Sequence, residues 1–262
     1  MLIVLSPAKR LDFTEPTSDL PATHRRFVTD TASLSRTARN QTQADLRRLM
    51  GISADLAKLN QARFKAFQPN ALDTGVQAAL AFAGDVYVGL DARSLDGEAL
   101  AFAQGHVRIL SGLYGLLRPL DRIQPYRLEM GIRLKTRRGE SLYDFWGDRI
   151  AKRIRADIEG QDHPVVVNLA SQEYFAAVDR KALKTAVVTP HFYEGAKDAN
   201  GGDTKKIVSF FAKKARGTMT RFAIEERISN PEDLKAFDCD GYRFDSRAST
   251  ETDWIFTRSG KT

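Results

Sequence analysis

Residues 108–138 read RILSGLYGLLRPLDRIQPYRLEMGIRLKTRR and hold eight arginines and lysines against two acidic residues. This one stretch therefore carries +6 of the chain's formal net charge of +7. Its glycines leave no side chain between the protein backbone and a ligand. A basic, glycine-rich loop of this kind suits a phosphate-bearing partner, so the stretch predicts a nucleic acid or a nucleotide as ligand.

Two further segments, one on each side, are also strongly basic. Residues 25–65 hold nine basic and three acidic side chains, and residues 205–221 hold six basic and no acidic ones. Each of the three segments thus carries +6, which leaves −11 for the rest of the 262-residue chain. Such segregation steers a polyanion if the three segments share one face. The alternative is that the side chains disperse over several faces once the chain folds.

The composition indicates a soluble globular protein. Hydrophobic residues make up 42% of the chain, and no apolar run approaches the roughly 18 residues of a membrane helix. The first 13 residues, MLIVLSPAKRLDF, lack the basic start of a signal peptide and predict a first β-strand. Cys239 is the only cysteine, so no intrachain disulfide is possible and a reducing, cytoplasmic location is expected.

The sequence predicts no metal site and no cofactor. The four histidines are scattered without the spacing of zinc ligands. The carboxylates also lack visible ligand spacing, which leaves little support for direct sequestration of iron; they include Asp85, Glu129 and Asp144.

Helices dominate the first half of the chain and strands the second half, which predicts one α+β (mixed α/β) domain over residues 1–262 around one mixed sheet. The predicted helices are Gln43–Met50, Ala54–Phe67, Thr74–Ala83, Gly97–Gln104, Leu142–Ile158 and Lys213–Ile228. The predicted strands are Met1–Leu5, Val107–Leu110, Arg127–Lys135, Val165–Leu169, Thr185–Phe192 and Lys205–Phe211, with a terminal hairpin of Tyr242–Phe244 and Trp254–Thr257. Glu194–Asp203 is expected to be a long turn between two strands.

The helix pair within residues 43–67 resembles a helix-hairpin-helix element. Gly51 can adopt the positive φ that reverses the chain, and the hairpin amides of Ile52 and Ser53 then face a DNA phosphate, flanked by Lys58 and Arg63. Ser53 stands where the usual pattern has a second glycine, and it is placed to cap the second helix. The alternative is an ordinary helix pair without a ligand.

Polar residues follow two predicted buried strands. Ser6 and Lys9 follow the first strand, and Asn168, Ser171 and Glu173 follow the strand at 165–169. Ligands often bind at the carboxyl ends of strands, so these residues are expected to share a site. Lys9 in apolar surroundings would act as a nucleophile or phosphate anchor, whereas the alternative is a set of turn and capping residues.

Lys213, Lys214 and Arg216 are expected at a strand-to-helix junction, where they suit an anionic ligand or form a solvated helix face. The nearby aromatic residues are interpreted as core rather than as base-stacking platforms; they are Phe210, Phe211, Phe222, Tyr143, Phe145 and Trp146.

Six segments together resemble the YaaA peroxide-stress proteins of bacteria, and the match runs from the first residue to about Arg221. They are SPAK (6–9), FAGDVY (82–87), RILSGLYGLLRPLDRIQPYRLEMG (108–131), FWGD (145–148), NLASQEYF (168–175) and SFFAKKARG (209–217).

The resemblance implies a cytoplasmic protein that is induced by hydrogen peroxide and limits damage from free intracellular iron. It also implies a family-specific single-domain fold with a basic cleft and a helix-hairpin-helix. The partner it implies is double-stranded or branched DNA, bound largely without sequence preference. The implied DNA contacts are Gly51, Ile52, Ser53, Lys58 and Arg63 at the hairpin, and Arg108, Arg118, Arg127, Arg133, Lys213, Lys214 and Arg216 in the cleft.

The resemblance supplies no catalytic residue, so enzymatic activity stays open. The alternative function is an enzyme that acts on a nucleotide or on damaged or abasic nucleic acid through the pocket of Ser6, Lys9, Asn168, Ser171 and Glu173. The oligomeric state is not determined by the sequence, and a monomer is the expectation.

Overall fold

The computed structural model describes residues 1–14, 22–197 and 203–259. Within these residues the strands are β1 (Leu2–Leu5), β2 (Val76–Gln77), β3 (Val107–Ser111), β4 (Gly115–Leu117), β5 (Arg122–Ile123), β6 (Val165–Asn168), β7 (Ala186–Lys197), β8 (Asp203–Lys206), β9 (Arg243–Phe244) and β10 (Asp253–Arg258). The α-helices are α1 (Val28–Arg39), α2 (Gln43–Met50), α3 (Ala54–Ala66), α4 (Ala78–Ala81), α5 (Asp85–Leu90), α6 (Gly97–His106), α7 (Leu142–Trp146), α8 (Arg149–Ile158), α9 (Gln172–Phe175), α10 (Arg180–Leu183) and α11 (Ser209–Glu225). Short 3₁₀ turns lie at Ala92–Ser94, Pro231–Ala236 and Cys239–Gly241.

One mixed sheet forms the centre of the molecule, in agreement with the predicted fold class. Its parallel strands lie in the order β3-β1-β6-β7-β10. Three strands are antiparallel: β4 pairs with β3, β9 pairs with β10, and β8 pairs with the C-terminal end of β7. Ile3 of β1 lies between Val107 of β3 and Val167 of β6. All four residues of β1 are buried, as expected of a parallel strand covered on both faces. Within the described residues, no helix has the length and apolar character needed to cross a membrane.

The helix pair α2–α3 has the predicted boundaries to within one residue. Thr42 and Asp45 form a capping box at the start of α2, and Gly51 ends that helix in the left-handed region with φ 59° and ψ 41°. The Ser53 hydroxyl accepts a hydrogen bond from the Leu56 amide at 3.3 Å, so the predicted cap of α3 is confirmed.

Two predicted elements are wrong. Residues 127–135 form no strand, because this segment takes up irregular backbone that buries Leu128, Met130 and Leu134 without pairing to a sheet edge. The helix predicted over 74–83 is replaced by β2, which pairs with β5, and by the single turn α4.

Two others have shifted boundaries. The helix predicted over 142–158 breaks into α7 and α8, because Gly147 adopts φ 50° and ψ −125°. The strand predicted over 205–211 ends at Lys206, and α11 begins at Ser209. The turn predicted over 194–203 is shorter than expected, because β7 continues to Lys197 and β8 begins at Asp203. The two strands pair antiparallel, and residues 198–202 between them lie outside the described residues. The terminal hairpin is confirmed by the β9–β10 pairing.

Helices α5 and α11 approach each other unusually closely. A Cβ on Gly217 of α11 would lie 1.8 Å from the carbonyl oxygen of Val86, and one on Gly89 of α5 would lie 2.2 Å from that of Lys214. Only glycine fits at both positions, so this crossing fixes α11 against the segment that follows residue 84.

Candidate functional site

The polar residues that follow β1 and β6 meet at one edge of the sheet. The strands are parallel neighbours, with Val4 opposite Asn168. The Ser171 amide donates to the Ser6 hydroxyl at 2.8 Å, and the two hydroxyl groups lie 3.3 Å apart. We call the residues at this edge the strand-end cluster; they are Ser6, Lys9, Glu129, Asn168, Ser171 and Glu173.

Asn168 and Glu173 extend the strand-end cluster. The Asn168 side chain accepts a hydrogen bond from the Ala170 amide at 3.1 Å and donates to the Thr189 hydroxyl of β7 at 3.5 Å. The Glu173 carboxylate accepts a hydrogen bond from the Gly131 amide at 2.9 Å, which attaches the irregular 127–135 segment to the cluster.

Lys9 does not have the apolar surroundings that would favour a nucleophile. Its side chain is 68% exposed, and its ammonium lies 3.7 Å from Oε1 of Glu129. Arg127 donates to the same oxygen at 2.9 Å. Oε2 of Glu129 is buried and accepts no hydrogen bond from any described residue. The sequence interpretation missed Glu129 as a site residue, because its position depends on how the irregular segment folds back over the strand ends.

Three buried tyrosines lie beside this cluster. The Tyr87 hydroxyl donates to the carbonyl oxygen of Ser6 at 3.0 Å, which ties α5 to the end of β1. Burial raises the pKa of Tyr87 and of Tyr126 well above the ordinary value, and it does the same for Tyr174, where the charge of Glu129 adds a smaller contribution. All three phenols are therefore neutral at physiological pH and serve as hydrogen-bonding groups rather than anions.

The hairpin of α2 and α3 forms a second candidate surface. The amides of Ile52 and Ser53, which lie outside both helices, donate to no acceptor among the described residues. Gly51 and Ser53 are exposed, whereas the Ile52 side chain packs into the core. Lys58 is exposed, and Arg63 is half-buried, which lowers its pKa through desolvation. Leu56 and Leu59 of the same helix are also partly exposed.

Half of the central basic block is directed into the fold: Arg108 is buried and Arg118, Arg122 and Arg127 are partly buried, whereas Arg133, Lys135, Arg137 and Arg138 are exposed. Arg108 is 4% exposed and donates to Asp157 at 2.7 Å, so it is closed to a DNA backbone in this structure. Arg118 donates to Asp121 at 2.8 Å and to the His24 carbonyl at 3.1 Å. Together with the pairing of Arg127 and Glu129, these contacts neutralise much of the local charge. Arg133 is exposed.

The basic residues of 213–216 lie within α11, not at a strand-to-helix junction. Lys213 lies 3.9 Å from Asp85, and Lys214 lies 3.1 Å from Asp240. Desolvation lowers the pKa of Arg216. Gly84, which precedes Asp85, packs closely on Ala8, because a Cβ added to Gly84 would lie 3.1 Å from the Cβ of Ala8. Since Lys213 lies beside Asp85, the first part of α11 borders the strand-end cluster.

The interpretation of the aromatic residues is partly wrong. Phe145 and Trp146 are fully buried, as predicted for core residues. Phe210 is 54% exposed and Phe211 is 38% exposed, because they lie on the outer side of the first turn of α11.

The structure thus brings Ser6 and Ser171 into contact at the strand ends, and it pairs Arg108, Arg118 and Arg127 with carboxylates of the fold. No group of three or more His, Cys, Asp or Glu among the described residues has an arrangement that could hold a metal ion. The helices that carry these basic side chains have different packing neighbours: α3 packs against α1 and α2, and α11 packs against α5, α6 and β7.

Comparison with known proteins gives one family. The family model described as "Peroxide stress protein YaaA" matches residues 1–248. A protein of Caulobacter vibrioides (strain NA1000 / CB15N) named "UPF0246 protein" is 56% identical over 258 residues, which is 98% of this chain and 99% of that protein. "UPF0246 protein RD1_0358" of Roseobacter denitrificans is 54% identical over 259 residues, which is 98% of both chains.

Proposed function

Because this chain belongs to the peroxide stress protein YaaA family, we propose that it is a cytoplasmic protein that binds DNA largely without sequence preference during oxidative stress. Bound DNA would be protected from iron-dependent damage, since hydroxyl radicals form where iron meets DNA. The net charge of +7 favours association with a polyanion such as the DNA backbone.

One observation carries the proposal: the exposed α2–α3 hairpin with its two free amides at Ile52 and Ser53. Amides at a helix start favour an oxyanion through hydrogen bonding and the helix dipole together. Lys58 lies one turn further along α3, on the exposed surface. The acidic Asp55 in the first turn of α3 opposes this attraction, so the lysines around the hairpin have to outweigh it.

The experiment is a titration of a fluorescein-labelled 20-base-pair duplex and a four-way junction at several NaCl concentrations, followed by fluorescence anisotropy. Six phosphate contacts would give a slope of about −5 when the logarithm of the association constant is plotted against the logarithm of the NaCl concentration. We expect Lys58→Ala to weaken binding and to make the slope shallower by about one unit. The matched control is Lys181→Ala, an exposed lysine of α10 away from the hairpin. Affinity that does not depend on salt, or equal behaviour of both variants, would refute binding at the hairpin.

The second candidate function is an enzyme that acts on a nucleotide or on abasic nucleic acid at the strand-end cluster. The contact between Ser6 and Ser171 favours it, because it joins the polar residues of two strands into one site. Borohydride trapping of a Schiff base with abasic DNA tests the version in which Lys9 is the nucleophile. Because Lys9 is exposed and lies beside Glu129, we expect the wild type and Lys9→Ala to give the same result in this assay. A covalent adduct that forms with the wild type and is lost in Lys9→Ala would instead establish Lys9 as the nucleophile.

A further inference from the structure

The strand order of the sheet marks one position as special. Numbered along the chain, the parallel strands β1, β3, β6, β7 and β10 lie in the order 2-1-3-4-5. After β1 the chain adds β3 on one side, and it then returns to add β6 on the other side. In open α/β sheets, ligands bind outside the carboxyl ends of the strands at the position where the order reverses. Here that position lies between β1 and β6, where Ser6 and Ser171 meet.

The same position contains a buried carboxylate oxygen that accepts no hydrogen bond within the described part of the chain. Glu129 is 9% exposed, and its Oε1 atom receives Arg127 at 2.9 Å and Lys9 at 3.7 Å. Its Oε2 atom receives no donor from the described residues. A buried carboxylate oxygen without a hydrogen bond costs free energy that a folded protein ordinarily avoids. An N–H or O–H donor supplied by a ligand would remove that cost.

Lys9 contacts this carboxylate, and the next residue, Arg10, lines an open cleft that Glu129 itself does not line. Lys9 is largely exposed and makes only a long contact with Glu129, so its ammonium can turn toward a ligand. Arg10 is exposed and lines a cleft of about 210 Å³, together with Tyr87, Gly84 and the charged residues Arg93, Asp12, Asp85 and Asp91. The cleft adjoins the cluster because Tyr87 donates to the Ser6 carbonyl. A cavity of about 150 Å³ holds a benzene molecule, so this volume has room for one aromatic ring system.

We infer that the carboxyl ends of β1 and β6 form a nucleotide-binding site, in which Glu129 accepts a hydrogen bond from the base or sugar and Lys9 with Arg10 holds the phosphate. A nucleotide combines the donor, the ring and the anionic group that these features require. The ligand is either a free nucleotide or a single nucleotide turned out of bound DNA, and the second form rests on the proposed function. The site is separate from the α2–α3 hairpin, which would hold the backbone of the duplex.

Two measurements test the inference on the full-length protein. Isothermal titration calorimetry with dAMP, dGMP, dCMP and TMP detects free nucleotides. A duplex with 2-aminopurine in an unpaired bubble detects an extruded base, because its fluorescence rises when it leaves the stack. We expect a signal in at least one measurement, weakened about tenfold or more by Glu129→Gln and also weakened by Lys9→Ala. Matched controls are Glu98→Gln, an exposed carboxylate of α6, and Lys181→Ala.

The outcomes separate this inference from DNA binding at the hairpin. Lys58→Ala should weaken duplex binding without changing the calorimetric signal of nucleotide binding. Glu129→Gln should weaken the calorimetric signal without changing duplex binding. If the protein ignores duplex DNA yet binds a free nucleotide, the proposed function fails and the inference stands. No signal in either measurement overturns the inference, and so does a signal that both cluster variants retain. Should Glu129→Gln fail to fold, Lys9→Ala and Lys9→Glu decide the matter, since this exposed side chain is not part of the core.

Discussion

Arg108 and Asp157 form a buried ion pair, with Nε of Arg108 2.7 Å from Oδ2 of Asp157 and side-chain exposures of 5% and 3%. The same carboxylate also pairs with Arg26 and with Arg153. One aspartate on α8 therefore holds three arginines from three parts of the chain. The arginine that begins the central basic segment is therefore held in a buried network of ion pairs in this structure.

Asp157→Asn should destabilise the protein by about 3 kcal/mol, because it leaves the buried Arg108 without a counter-charge. Urea unfolding followed by circular dichroism measures this loss. The control is Asp148→Asn, which removes an exposed pair with Lys152 and should leave the unfolding midpoint within experimental error. Equal midpoints for wild type and Asp157→Asn would mean that the pair contributes no net stability.

The stabilisation by Asp157 should depend on pH. Burial alone would raise the pKa of this carboxyl, but Arg108, Arg153 and Arg26 outweigh burial and hold the pKa below its ordinary value. Because the pKa is lower in the folded state, Asp157 contributes its full stability above its pKa in the unfolded chain, about 4. This contribution is lost as the pH falls through the pKa of the folded state. The difference in unfolding free energy between wild type and Asp157→Asn should therefore be constant from about pH 5 to pH 8 and shrink below about pH 4. A difference that stays constant down to pH 2 would contradict this assignment.

The elements that sequence predicted well are those with local signals. Helix α2 begins at the capping box of Thr42 and Asp45 and ends at Gly51. Each of these signals acts within one turn of its own end of the helix. The strand predicted over 127–135 is wrong because the alternating apolar residues of this segment are buried by irregular backbone that pairs with no strand among the described residues. Periodicity reports burial, and here burial came without strand pairing.

The candidate site divides in the same way. The meeting of Ser6 and Ser171 follows once β1 and β6 are parallel neighbours, so strand-end reasoning was sufficient. The position of Glu129 could not be predicted in this way, because Glu129 belongs to an irregular segment. The path of that segment depends on tertiary contacts such as the hydrogen bond from the Gly131 amide to Glu173. Net charge was also misleading for Arg108, since charge along the sequence does not tell which side chains pair internally.

Two glycine-to-alanine substitutions in helices should have opposite effects. Gly217→Ala would place a Cβ 1.8 Å from the Val86 carbonyl oxygen, so α5 and α11 must separate, at a cost of about 3 kcal/mol. Gly105→Ala in α6 meets nothing within 4 Å and should stabilise the protein by about 0.5–1 kcal/mol through helix propensity. Thermal unfolding of both variants checks this, and a Gly217→Ala variant as stable as the wild type would contradict the close packing of α5 on α11.

Gly51 should be replaceable by asparagine more easily than by alanine. Its φ of 59° lies in the left-handed region, and the space around an added Cβ is open, so the cost is conformational. Gly51→Ala should cost about 1 kcal/mol, and Gly51→Asn less, because asparagine tolerates this backbone. Both variants keep Ser53 and Lys58. DNA affinity that falls with alanine but not with asparagine would therefore depend on the geometry of the turn, and a larger stability loss for asparagine would argue against the left-handed turn.

Cys239 should react slowly with peroxide and with alkylating reagents. Burial raises the pKa of its thiol, and the carboxylates of Asp238, Asp240 and Glu225 add to this effect. The thiol is therefore protonated at neutral pH, and the thiolate that attacks peroxide is scarce. We expect iodoacetamide to alkylate Cys239 more slowly than free cysteine at pH 7, with the rate rising as the pH passes above the ordinary thiol pKa. We also expect Cys239→Ser to protect peroxide-treated cells as well as the wild type does. Fast labelling at pH 7, together with loss of protection in the serine variant, would instead make this residue a peroxide sensor.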